Sequence, residues 1–120
     1  MSELKFSLKR KSRIGERHAR KLTSCAVVIT RAGRLWQSVL VDISATGMSI
    51  ETPLDWSARL KQTFRLEIVT SPGNIIQLEA KLVRDGDGTL AFDFSRIPED
   101  MEVPLWEFLG KYADQKEHLY

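Results

Sequence analysis

Asp42, Ser44 and Gly47 stand in the pattern Asp-x-Ser-x-x-Gly near the middle of the chain. An ionised aspartate only accepts hydrogen bonds, and its two oxygens match parallel N–H donors such as N1 and the exocyclic amine of a guanine edge. Ser44 adds a small hydroxyl, and Gly47 admits either a positive φ or the close approach of a ligand to the backbone. The same residues also suit a plain Asx-type turn in which Asp42 caps backbone N–H groups. A second group lies upstream, in Arg13-Ile14-Gly15-Glu16-Arg17-His18-Ala19-Arg20-Lys21. Guanidinium groups fork onto phosphate oxygens and onto the Hoogsteen edge of guanine. The segment therefore suits an anionic, purine-bearing ligand, with a merely solvated charge run as the competing reading.

Residues for catalysis are sparse. His18 and His118 are the two histidines, and neither stands at ligand spacing from a second His or a Cys. The lone Cys25 allows no internal disulfide and no cysteine-based zinc site. Its apolar surroundings predict a buried, inert thiol. Asp85 and Asp87 sit in a glycine-rich turn too short for a calcium loop and without a downstream bidentate glutamate. No lysine follows a run of glycines as in a phosphate loop. We expect neither enzymatic activity, nor a metal, nor a cofactor.

The elements that must carry these residues are short strands. Ala26–Ile29 is a β-branched run, Arg31-Ala32-Gly33-Arg34 a turn, and Leu35–Ile43 a second strand. Strict alternation along that strand puts Leu35, Val39, Val41 and Ile43 on one face. Trp36, Ser38, Leu40 and Asp42 then share the other, which makes Trp36 a candidate to flank a ligand at Asp42. Ser44–Gly47 reads as a tight turn and Met48–Glu51 as a short strand ended by Pro53. Phe64, Leu66 and Ile68 alternate with polar residues, as do Ile76, Leu78, Ala80 and Leu82, and then Leu90, Phe92 and Phe94. Ser71-Pro72-Gly73-Asn74 and Asp85-Gly86-Asp87-Gly88 are turn signals between them. Met101, Leu105, Phe108, Leu109 and Tyr112 change to a helical period. Pro98 or Pro104 suits the first turn of that helix, and Glu99, Asp100 and Glu102 favour its positive end. Six or seven antiparallel strands with a terminal helix across one opening predict a small closed barrel or a sandwich.

The 120 residues fit one domain. Residues 1–22 carry eight Lys/Arg against Glu3 and Glu16, whereas the remainder carries ten basic and fourteen acidic residues. We read 1–22 as a flexible basic arm and 23–120 as the barrel with its helix, the arm seeking an anionic partner. The N-terminus shows charge where a signal peptide would be apolar, and no apolar run spans a bilayer, so the expected compartment is the cytoplasm.

Taken together, the arginine segment and the Asp42–Gly47 pattern resemble the PilZ domain family. That family pairs an Arg-x-x-x-Arg segment just before the first strand with an Asp/Asn-x-Ser-x-x-Gly turn after the second. The resemblance runs from Arg13 to the terminal helix and takes in Phe92-Asp93-Phe94. It implies a six-stranded PilZ-like β-barrel with a C-terminal α-helix. It also implies a ligand, the bacterial second messenger cyclic di-GMP, clamped by arginines and met at its guanine edge by the Asp and Ser. Two registers are open. Arg13 and Arg17 match Arg-x-x-x-Arg literally, whereas the family's spacing to Asp42 puts the second arginine at Arg20 and the first position at Glu16. We take Arg17 and Arg20 as the main contacts, with Arg13 wrapping over the ligand.

The candidate ligand-binding residues are thus Arg13, Arg17, Arg20, Asp42, Ser44 and Gly47. The expected function is a cyclic di-GMP receptor that changes conformation and signals to a downstream protein, as a monomer or a dimer. A PilZ-like adaptor working through protein contacts alone is the alternative, which Glu16 in the arginine register would allow. Nucleic acid is disfavoured as a partner, because the body is acidic and its strands do not interleave aromatic with basic residues.

Overall fold

The structure is a computed structural model that describes residues 24–110 in full and the backbone of the strand pairs at 17–18, 21–22 and 116–117. The ring is built from β3 (Ala26–Arg31), β4 (Arg34–Ile43), β5 (Gly47–Glu51), β6 (Thr63–Ser71), β7 (Asn74–Gly86) and β8 (Thr89–Arg96). All neighbours are antiparallel: β4 pairs β3, β3 pairs β6, β6 pairs β7, β7 pairs β8, and β8 pairs β5. The β5–β4 pairing closes the six-stranded barrel, so none of these strands is left as a sheet edge.

Two earlier strands fall in the segment read from sequence as the basic arm. β1 (Arg17–His18) pairs β9 (Lys116–Glu117), and β2 (Lys21–Leu22) pairs the end of β4. Residues 1–16 lie outside the described residues, as does Tyr112.

Period-two patterning explains most of the core. Phe64, Leu66 and Ile68 are buried along β6, Ile76, Leu78, Ala80 and Leu82 along β7, and Leu90 and Phe92 along β8. Between them the chain turns in two residues. Gly33, Gly73 and Gly88 take φ of 82°, 82° and 78°, values that cost glycine little. After β8 a 3₁₀ turn (Glu99–Met101) leads into α1 (Glu102–Leu109), which buries Leu105 and Leu109 in the barrel core. Pro98 caps the 3₁₀ turn and Pro104 sits in the first turn of α1, where no intrahelical N–H is missed. Cys25 is half-buried against the core rather than enclosed by it.

Along β4 the structure corrects the sequence reading of the two faces. Trp36 and Leu40 point into the core, while Leu35 is 60% exposed. Leu40 pairs Ile50 and Asp42 pairs Ser49, so Val41 is an extra residue opposite a single peptide link of β5. This β-bulge resets the alternation, and Ile43 turns inward as Leu40 does. Asp42 and Trp36 therefore do not share a face.

Candidate functional site

The corner that follows β4 is a tightly bonded turn. The Ser44 N–H donates to the Gly47 carbonyl at 2.8 Å, and the Phe94 N–H donates to the Thr46 carbonyl at 2.9 Å. Ser44 is 2% exposed. Its hydroxyl accepts the Thr46 N–H at 3.2 Å and reaches the Gly47 carbonyl at 3.4 Å. Thr46 is exposed, with its hydroxyl 3.4 Å from that of Ser44. In this geometry Ser44 holds the turn, and Thr46 carries the hydroxyl that faces outward.

Gly47 is required for a reason the sequence did not name. Its φ is not among the positive values, and a Cβ here would run into the Phe92 carbonyl oxygen of β8. The close neighbour is therefore the protein's own backbone. Pressing β5 onto β8 in this way fixes the turn from below, with Gly47 opposite Asp93.

Asp42 is half-buried on the outer side of the bulge, beside Ser49 of β5, which is 7% exposed. Ser49 was missed from sequence, where it reads only as the middle of a short strand. Its place opposite Asp42 depends on the β4–β5 register. On the other edge of β4, Leu22 of β2 stands opposite Asp42 and Lys21 stands opposite Ile43. The chain just after the arginine segment thus runs beside the carboxylate.

Of the sequence-predicted arginines, Arg17 lies in β1, with Glu117 as its backbone partner. Arg13 and Arg20 fall outside the described residues. Asp42, Ser44 and Gly47 come together in one corner, as their spacing predicts. Trp36 does not join them. It is 6% exposed, its indole N–H donates to the Asp55 carbonyl at 3.1 Å, and its ring lies 4.7 Å from that of Trp56. The expectation that it flanks a ligand at Asp42 is corrected accordingly, because the bulge puts the two side chains on opposite sides of the sheet.

Among the described residues, no group of His, Cys, Asp or Glu is gathered for a metal ion. No described helix is long and apolar enough to cross a membrane.

Comparison with known proteins agrees with the topology. Among solved structures, the chain is similar to the Bacillus subtilis inhibitor of motility MotI/DgrA, with a TM-score of 0.64 and 20% identity. That match covers 83% of this chain and 50% of the other, so this chain spans half the length of that protein. It is also similar to the PilZ domain of CeSA from a cellulose-synthesizing bacterium, with a TM-score of 0.59 and 21% identity over 76% of this chain and 95% of that one. An uncharacterized Legionella protein matches with a TM-score of 0.50 and 18% identity, over 75% and 88% of the two chains. No curated protein matches. The family model for the PilZ domain matches residues 15–111, from within the arginine segment to just past α1, and with a closed barrel and an Asp-x-Ser-x-x-Gly corner in that span the chain belongs to the PilZ domain family.

Proposed function

We propose that this domain is a cyclic di-GMP receptor that takes its ligand between the N-terminal arginines and the Asp42 corner. The Asp42 carboxylate accepts the guanine N–H pair, and Arg17 and Arg20 fork onto phosphate and guanine, with Arg13 closing over the top. The observation that carries this reading is the pairing of β2 with β4, which sets Leu22 opposite Asp42 two residues after Arg20. Closing the arginine segment over the ligand costs conformational entropy, which several charge-assisted hydrogen bonds offset. The closed segment then offers a downstream protein a surface that the open one lacks. The role is binding and signal transfer in the cytoplasm, without catalysis.

Calorimetric titration of cyclic di-GMP into the wild type, Arg20→Ala and Asp42→Ala tests the site. Loss of one charged hydrogen-bonding partner costs about 1.5–3 kcal/mol, so each variant should bind roughly 10- to 100-fold more weakly. Equal heats in all three proteins would remove the assignment.

A second reading, an adaptor that needs no nucleotide, draws on the Ser44 hydroxyl being turned into the protein and on Glu16 in the arginine register. The similar Bacillus subtilis protein is an inhibitor of motility, which fits action on another protein. Absence of heat at micromolar cyclic di-GMP, with a partner still recovered by pull-down, would favour it.

A further inference from the structure

At the opposite end of β4 from Asp42, three arginines meet at one cavity. The β3–β4 hairpin closes through Ala32-Gly33, and its last pair sets Arg31 directly opposite Arg34. Arg59 joins them from the segment between β5 and β6, where its N–H donates to the Gln62 side-chain oxygen at 2.9 Å. The cavity has a volume of about 280 Å³, and Trp36 and Phe64 form its aromatic floor. Among the described residues, no Asp or Glu lines it.

Two of the three guanidiniums lie over aromatic rings. Arg34 lies 4.7 Å from the centroid of Trp36, and Arg31 lies 5.9 Å from that of Phe64. A guanidinium stacked on a ring keeps its N–H edge for an acceptor in its own plane. Among the described residues the ion pairs are Arg65 with Glu67 and Arg96 with Glu79, so none of these three arginines has a carboxylate partner there. Like charges directly opposite in a sheet repel. A bound anion would relieve this repulsion.

We propose that Arg31, Arg34 and Arg59 form a second ligand site, for a small phosphate monoester. The phosphoryl dianion matches forked N–H donors and the surplus of positive charge. A cavity of about 280 Å³ suits a phosphoryl group with a small body. At about 3.3 Å per residue, Arg34 and Asp42 lie roughly 25 Å apart along β4, so the sites are separate.

The test is a residue-resolved NMR titration with inorganic phosphate as probe, at ionic strength held constant with chloride. The expected result is saturable shifts at the Trp36 indole N–H and the Arg31, Arg34 and Arg59 amides, with half-saturation on the order of 1 mM. The double variant R34Q/R59Q should need at least about tenfold more phosphate, since charged hydrogen bonds are lost. R59Q alone, altered only in an exposed loop residue, should show part of that loss. Non-saturating shifts, equal shifts in chloride alone, or saturation centred on residues 42–47 would overturn the proposal. A phosphorylated serine peptide that saturates the same amides more tightly than a small-molecule monoester would overturn the small-molecule assignment.

Discussion

At its C-terminal end β4 enters a turn whose backbone is held from both sides, by Ser44 bonded to Gly47 and by Phe94 bonded to Thr46. At its N-terminal end the same strand leaves a hairpin in which Ala32 has φ of 51°, a left-handed value that a Cβ disfavours. The first corner presents a carboxylate on a frame of backbone bonds with glycine pressed against β8. The second presents guanidiniums that lie over the rings of Trp36 and Phe64. Backbone-built corners tie the site to the stability of the barrel, so changes there cost folding as well as binding. Side-chain-built corners separate the two, and substitutions there alter binding with little effect on the fold.

Gly47→Val should break the first corner most severely. The added Cβ meets the Phe92 carbonyl, and forcing β5 from β8 should cost about 3 kcal/mol, near the upper end for overpacking. A thermal melt should fall by roughly 10 °C or more. A midpoint unchanged within the precision of the melt would show that β5 does not sit so close to β8.

Ser44→Ala should cost less, about 1 kcal/mol, for the lost acceptor of the Thr46 N–H in a buried turn. Urea unfolding would read it as a lower midpoint at unchanged slope. If Ser44→Ala weakened cyclic di-GMP binding far more than it destabilised the domain, the hydroxyl would be a ligand contact and not a support.

The smallest effect belongs to the hairpin. Ala32→Asn supplies the Asn-Gly pair that two-residue hairpins with positive φ favour, and should stabilise by about 0.5–1 kcal/mol. Hydrogen exchange should slow at the end of β3. A loss of stability would mean that Ala32 is not held in the left-handed region.

Much of this could be read along the chain. The alternations at Phe64–Ile68 and Ile76–Leu82 and the turns at Pro72-Gly73 and Asp87-Gly88 lie where their periods and residue types predict. Leu105 and Leu109, at helical spacing, are the two residues that α1 buries. Asp42, Ser44 and Gly47 also come together as their spacing predicts. The faces of β4 were misread, because Leu35, Val39, Val41 and Ile43 form an alternating apolar set, broken only by Gln37, that the bulge at Val41 interrupts. That bulge comes from fitting β4 between β3 on one edge and β5 on the other, a constraint no local window contains.

Local chemistry, acting over a few residues, determined the strand periods, the turn positions, the terminal helix and the presence of an acidic and a basic motif. Which side of a strand faces inward, why residue 47 must lack a side chain, and which arginines distant in sequence share a cavity were decided only by closing the ring. Those properties depend on strand pairing between segments far apart in the chain, and a one-residue change of register moves every side chain to the other face.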